Sequence, residues 1–185
     1  YNTFYAPLGL TRIGYKPLSR FELKEIVPTE FDAKFRKQLV HGDVHDQGAA
    51  MMGGVGGHAG LFSNANDLGV IMQMLLQKGN YGGKQFLDSA TVGIFTTCQF
   101  YPNRRGIGFD KPETDPKKDS PVCNGATPSS FGHQGFTGTI AWADPETGIV
   151  YIFLSNRVYP DTEINKLAKL GIRTVLHQTI YDALK

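Results

Sequence analysis

The residues with the most chemistry in their spacing are Phe131-Gly132-His133-Gln134-Gly135-Phe136-Thr137-Gly138. A polar residue on a strand is followed by glycine, which lets another molecule approach the backbone, and then the chain turns. A substrate lying along such a strand edge can meet a backbone N–H placed for an oxyanion. The plainer account is a hairpin with a glycine-rich bend and a hydrogen-bonded histidine, and the local pattern alone favours it modestly. A second cluster is His41-Gly42-Asp43-Val44-His45-Asp46, with His58 downstream. Imidazole and carboxylate are ordinary zinc ligands. No helix sets both histidines on one face, however, and a polar loop bonding its own backbone is the stronger reading.

Serine chemistry needs a hydroxyl beside a base. Ser-x-x-Lys is the pattern in which one helical turn supplies both. It is absent: Ser19, Ser63, Ser89, Ser129 and Ser155 all lack a lysine three residues on. Thr114-Asp115-Pro116-Lys117 fits with threonine but lies in a proline-bearing loop. Tyr101-Pro102-Asn103 matches Tyr-x-Asn by letter, within a stretch that reads as a surface excursion. The chain therefore offers no nucleophile. The run Gly53-Gly54-Val55-Gly56-Gly57-His58-Ala59-Gly60 is not a phosphate cradle, because no Lys-Ser/Thr follows it. It reads as a tight structural loop.

These residues need a scaffold, and 185 residues can supply one core. Charged residues make up 19% and the net charge is +2, so no nucleic-acid footprint is indicated. Arg104-Arg105 and Lys117-Lys118 read as solvated pairs. Cys98 and Cys123 are too few for a disulfide framework and read as free thiols, with a single bridge open in an oxidising compartment. No apolar run reaches a membrane-spanning length, and no signal peptide or initiator methionine is present, so the chain is expected to start within a longer protein.

The first dozen residues read as the tail of a helix, with Leu8, Leu10 and Ile13 as anchors. Phe21–Val27 alternates apolar and polar residues and predicts a short strand ended by Pro28. Ser63 or Asn64 should cap a helix carrying Leu68, Ile71, Met72, Leu75 and Leu76 at helical spacing, with Asp67 in its first turn. A shorter helix should run from Asp88 or Ser89 to about Thr97. Residues 101–130 hold five prolines and predict a long excursion, interrupted by a short strand at Ile107–Phe109. Three strands follow at Phe131–Gln134, Thr139–Ala143 and Ile149–Leu154, the last expected to be central and buried on both faces. Short connections make them an antiparallel meander. The terminal helix should lay Ile172, Val175, Leu176, Ile180, Ala183 and Leu184 on the sheet.

Several blocks in order resemble one family. They are Gly42–Asp46, Gly53–Ser63, Asp67-Leu68, Gly106–Phe109, Gly132–Thr139 and Leu154-Ser155-Asn156-Arg157. Together they are similar to the middle and end of class C β-lactamase-like and penicillin-binding-protein-like serine hydrolases, over nearly all of the chain. The resemblance implies an α/β (α+β) fold, an antiparallel sheet flanked by helices, incomplete without an N-terminal part. Residues 1–185 would be the C-terminal portion of one domain. The family site has three boxes, Ser-x-x-Lys, Tyr-x-Asn, and Lys-Thr-Gly or His-x-Gly, and only the third is present, as His133-Gln134-Gly135. Histidine in the lysine position is found in esterase- and peptidase-like members. By this resemblance His133 would give electrostatic or hydrogen-bonding help, and the N–H of Phe136 would be one oxyanion donor. Gln134, Gly135 and Thr137 would bind substrate. The other two boxes would lie upstream of Tyr1.

The ending Ser155–Pro160, with Ile172-Arg173, resembles a subset placed behind a glycoside hydrolase family 3 domain and linked to envelope sugar or peptidoglycan metabolism. Glycosidase chemistry would then belong to the other domain. The resulting expectation is the C-terminal part of a serine hydrolase acting on an amide or ester. The substrate would be a small molecule or cell-wall peptide, and the compartment extracytoplasmic. No cofactor or metal is expected. The chain alone should be inactive and prone to self-association through surface exposed on the sheet and on the helix starting near Ala65. The rivals are a non-catalytic accessory module and, more weakly, a metal-dependent hydrolase using His41, His45, Asp46 and His58.

Overall fold

A computed structural model describes residues 1–184. The opening segment forms a run of turns rather than the tail of a helix. Ala6 N–H donates to Tyr1 O (3.1 Å) and Leu10 N–H to Tyr5 O (3.0 Å). Leu8, Leu10 and Ile13 are buried, as their anchoring role requires. The strand expected over Phe21–Val27 is not formed. Glu25 N–H donates to Glu22 O (3.0 Å), and Glu22 N–H donates to the Glu25 carboxylate (3.1 Å). These reciprocal bonds close a 3₁₀ turn over Leu23–Glu25 and use amides that a sheet would need. The strand starts where it was expected to end: β1 (Pro28–Asp32) pairs antiparallel with β2 (Gln38–His41). Proline is tolerated as the first residue of a strand.

Helix α1 (Gln47–Met51) is capped by Asp46, whose Oδ1 accepts from Ala49 N–H at 2.7 Å. The glycine loop after it is the tight structural turn its composition implies. Gly60 sits at φ 107°, and a Cβ there would stand 2.4 Å from Gly54 O. Helix α2 (Ala65–Leu76) is capped by Asn64, which accepts from Asp67 N–H at 2.8 Å. Asp67 does more than balance the helix dipole: it is buried and accepts from Arg12 N–H at 2.7 Å. That bond ties the N-terminal segment to α2. A hairpin, β3 (Asn80–Tyr81) and β4 (Lys84–Gln85), leads to α3 (Ser89–Thr96), capped by Asp88.

No strand forms at Ile107–Phe109. The excursion meets the sheet one residue later, where Asp110 and Gly132 exchange backbone hydrogen bonds. The Lys111 ammonium donates to Thr96 O (3.1 Å), Ser129 O (3.1 Å) and Ser130 O (3.0 Å), closing the base of the loop. Cys98 is exposed, Cys123 is buried, and both are free.

Strands β5 (Phe131–Gln134), β6 (Ile140–Asp144) and β7 (Ile149–Phe153) form the expected antiparallel meander. Successive side chains point to opposite faces. Ala143 and Phe131 join Met72 of α2 in one core, with Val150 and Ile152 packed beside them. Ile140, Trp142 and Tyr151 form another core with Val122. The central strand is β6, not β7. The latter is an edge among the described strands, and only Tyr151 of its five residues is buried.

Helix α4 (Lys166–Lys169) precedes α5 (Ile172–Asp182). The apolar stripe expected on the sheet is largely exposed instead, with Val175 at 59% and Leu184 at 64% of full exposure and only Ile172 half-buried. The helix turns His177 and Tyr181 inward. The Tyr181 hydroxyl donates to Asp144 at 2.6 Å, and His177 stacks on Tyr151 with centroids 4.3 Å apart. A charge-assisted hydrogen bond and ring stacking at positions 177 and 181, one turn apart, orient the helix against its aliphatic pattern. Exposed apolar surface was also expected on α2, but that helix packs on β6 and β7 and buries Met72 and Met74. No helix among the described residues is long and apolar enough to cross a membrane.

Candidate active site

The third box lies at the end of β5 and in the turn to β6. Gly135 N–H donates to Thr139 O (2.8 Å) and Gly138 N–H to Gly135 O (3.0 Å), which closes the turn. Gly138 has φ 112°, and a Cβ there would stand 2.5 Å from Ser155 Oγ, so only glycine fits. The Ser155 hydroxyl donates to Gly138 O at 2.7 Å. The N–H of Phe136 donates to no acceptor among the described residues.

The turn forms one wall of an open groove of about 1070 Å³. Gly135, Phe136 and Thr137 line it, facing His45, Asp46 and His58 from the segment before and within the glycine loop. His133 and Gln134 lie outside the lining. Gln134 Nε2 donates to Pro121 O, which commits the side chain to the excursion. His133 is exposed, with Nδ1 2.7 Å from Gln134 O and Nε2 3.4 Å from Arg105 Nη1. Arg105 is not a freely solvated charge. Its guanidinium also stands 3.7 Å from Asp110, which Arg104 holds through two hydrogen bonds of 2.9 and 3.1 Å. The excursion thus delivers a guanidinium to the third-box histidine, which the spacing of Arg104-Arg105 gave no reason to expect.

Two further side chains hold the turn. The His45 ring stacks on Phe136, with centroids 5.1 Å apart and planes at 17°. The Arg157 guanidinium lies over the same ring at 4.2 Å. His45 is set by a charged cluster. Its Nδ1 stands 2.8 Å from Glu30, and Arg36 bonds Glu30 (3.2 Å), Asp32 (2.9 Å) and the carbonyls of Val44 (2.6 Å) and His45 (2.9 Å). The Phe35 N–H, with the Arg36 guanidinium and further backbone donors, holds the Asp32 carboxyl well below the usual range against the cost of burial. Asn156 Nδ2 donates to Pro28 O and to Thr29 O (3.1 Å), joining the end of β7 to β1.

The histidines of the first half do not converge. His41 Nε2 contacts Ile26 O at 2.5 Å, His45 faces Glu30, and His58 Nε2 lies 3.0 Å from Asp46. No group of three or more metal-ligating side chains occurs among the described residues. The Ala49 N–H, then His58, pull the Asp46 carboxyl below its ordinary value. Asp46 is thus a helix cap with a histidine beside it, the polar-loop role favoured from the sequence.

The family model named Beta-lactamase matches residues 2–174. A protein of Escherichia coli (strain K12) named "Putative D-alanyl-D-alanine carboxypeptidase" is 36% identical over 167 residues, covering 84% of this chain and 38% of the relative. Its namesake in Salmonella typhi is 35% identical over 204 residues, covering 99% of this chain and 47% of the relative. The chain therefore spans less than half the length of these relatives. Among solved structures, simvastatin synthase from Aspergillus terreus superposes with a TM-score of 0.61 at 16% identity, over 97% of this chain and 48% of that one. A β-lactamase from Mycobacterium bovis gives 0.52 at 21% identity, over 68% and 46%. Mixed helices and antiparallel sheet in the β-lactamase/transpeptidase arrangement are thus shared with both. Family match, relatives and fold agree, and the chain belongs to the β-lactamase family.

Proposed function

We propose that this chain is the C-terminal wall of the active-site cleft in a serine hydrolase of the peptidase/β-lactamase type. The observation that carries the reading is the unengaged Phe136 N–H, in a braced turn that lines the groove. A backbone donor held in that way can stabilise the negative oxygen that develops when an acyl group is attacked. On this reading residues 1–185 are part of one domain, and the nucleophilic serine and its lysine come from sequence outside them. The serine's own N–H would be the second oxyanion donor. Gly135 and Thr137 would border the substrate's backbone. Arg105, held beside His133, would add positive field at the edge of the site.

The names of the relatives point to a peptide ending in D-alanine as the first substrate to try. An extracytoplasmic, cell-wall setting follows from that substrate. Placement behind a glycoside hydrolase family 3 domain rests on the Ser155–Pro160 and Ile172-Arg173 blocks alone. We expect the 185-residue chain to be inactive by itself. The test is covalent labelling by a fluorescent penicillin and by a fluorophosphonate. The full-length protein should label at one serine outside this chain, and the chain alone should not. Stable labelling of the isolated chain, or none in the full-length protein by either reagent, would overturn the proposal.

A further inference from the structure

The carbonyls behind the third-box turn are gripped by two guanidinium groups. Arg173, in the first turn of α5, donates through Nη1 to Gly135 O (3.2 Å) and Thr139 O (3.0 Å). Arg157 donates through Nε to Phe136 O (2.7 Å), and its backbone N–H donates to Thr137 O (2.9 Å). The Gly135 carbonyl belongs to the same peptide unit as the Phe136 N–H. That peptide is trans, and a trans peptide is planar, with its C=O and N–H pointing in opposite directions. Whatever fixes the Gly135 oxygen therefore aims the Phe136 hydrogen. The Gly138 N–H shares the Gly135 oxygen at 3.0 Å, but a neutral amide of the same turn moves with it. Arg173 comes from a separate helix and carries charge.

We propose that Arg173 is a positioning residue of the active site, which orients and polarises the Gly135–Phe136 peptide so that its N–H serves the oxyanion. The inference rests on the acyl-transfer reading of the third box and deepens it. A charge-assisted bond to the carbonyl draws electron density through the amide and strengthens the N–H as a donor. The guanidinium is half-buried, and burial, then the nearby Arg157 charge, lowers its pKa. Arg173 thus stands on the carbonyl side of the Gly135–Phe136 peptide, and Arg157 holds the next carbonyl along, so a negative charge developing at the Phe136 N–H would feel both cations. The helix that delivers Arg173 is itself fixed. The Tyr151 hydroxyl donates to Arg173 O at 3.1 Å, and Tyr181 is bound to Asp144. The block Ile172-Arg173, noted in the sequence only as part of a resemblance, acquires a physical role.

The test has two arms. In the full-length protein, Arg173→Gln should lower kcat on p-nitrophenyl acetate about 10- to 100-fold with KM nearly unchanged. Outright loss of an oxyanion donor costs about 10²–10³, and this change misaims the donor without deleting it. Arg173→Lys, which keeps a cation with several donors on a shorter stem, should recover part of the loss. Thr179→Ala, on the exposed side of the same helix, should leave kcat unchanged. In the 185-residue chain, the Phe136 amide proton should move upfield in Arg173→Gln while amides of β6 and β7 keep their shifts. If the Gln variant fails to fold, the Lys variant carries both arms. An unchanged kcat in an active protein, or an unmoved Phe136 amide in a folded variant, would overturn the proposal. If the unsubstituted protein never turns over the ester, yet the Phe136 amide still depends on Arg173, the acyl-transfer reading falls and the arginine's hold on the peptide stands.

Discussion

His177 should make the stability of this chain fall steeply between pH 6.5 and 4. The ring is fully buried, stacked on Tyr151 and tilted against Tyr181 (5.2 Å), and neither nitrogen has a hydrogen-bond partner among the described residues. Burial pushes its pKa from 6.5 down to about 4, and the nearby Asp144 carboxylate opposes only part of that shift. In this window the unfolded chain binds a proton that the folded chain refuses. Stability is thus full above about pH 6.5, declines as pH falls, and levels off below about 4. At pH 4.5 the loss works out at about 2.5 kcal/mol, a large share of the 5–15 kcal/mol typical of a domain. Thr127 and Tyr181 hold the Asp144 carboxyl below its ordinary value despite burial, so its contribution is lost only at lower pH. The assay is urea unfolding at pH 7.5 and 4.5, followed by fluorescence of the single tryptophan, Trp142, which is fully buried. His177→Phe keeps an aromatic ring in the stack and removes the titration. On acidification from pH 7.5 to 4.5 the stability difference should shift by about 2.5 kcal/mol in favour of the variant. Parallel pH dependences in the two proteins would show that His177 does not carry the acid lability.

Tyr181→Phe removes the 2.6 Å bond to Asp144 and should cost about 1.5–3 kcal/mol in the same unfolding assay at pH 7.5, because a buried carboxylate loses a donor. Arg36→Met should cost about 3 kcal/mol, since it strands Glu30 and Asp32, both buried. It should also loosen the His45–Phe136 stack, seen as a shifted Phe136 ring resonance. Sedimentation should show concentration-dependent self-association of the isolated chain, with Val175, Leu176 and Ile180 exposed on α5 and Leu184 exposed just beyond it. Val175→Lys with Leu184→Lys should reduce it.

The meander was legible because its strands are short, β-prone and joined by turn chemistry, and the α2 helix because Asn64 and its apolar spacing point to the same element. The Leu23–Glu25 turn was not, since alternation also arises when two glutamates three apart cap each other. The facing of α5 was hidden for a related reason. Its aliphatic stripe is the stronger periodic signal, but the buried contacts go through His177 and Tyr181, whose partners are 26 to 37 positions away. In the site, the local pattern alone read as a glycine-rich hairpin, and only the family resemblance singled out His133-Gln134-Gly135 and the Phe136 N–H. The groups that brace them were not legible. His45, Arg157 and Arg173 reach the turn only through tertiary contacts, and His45 reads in sequence as a candidate ligand.

The most direct test of the account is mass spectrometry of the full-length protein after reaction with a fluorescent penicillin, beside the 185-residue chain treated identically. One acylated serine outside these residues, and no adduct on the chain alone, is the expected result. An adduct on any serine within residues 1–185 would contradict it.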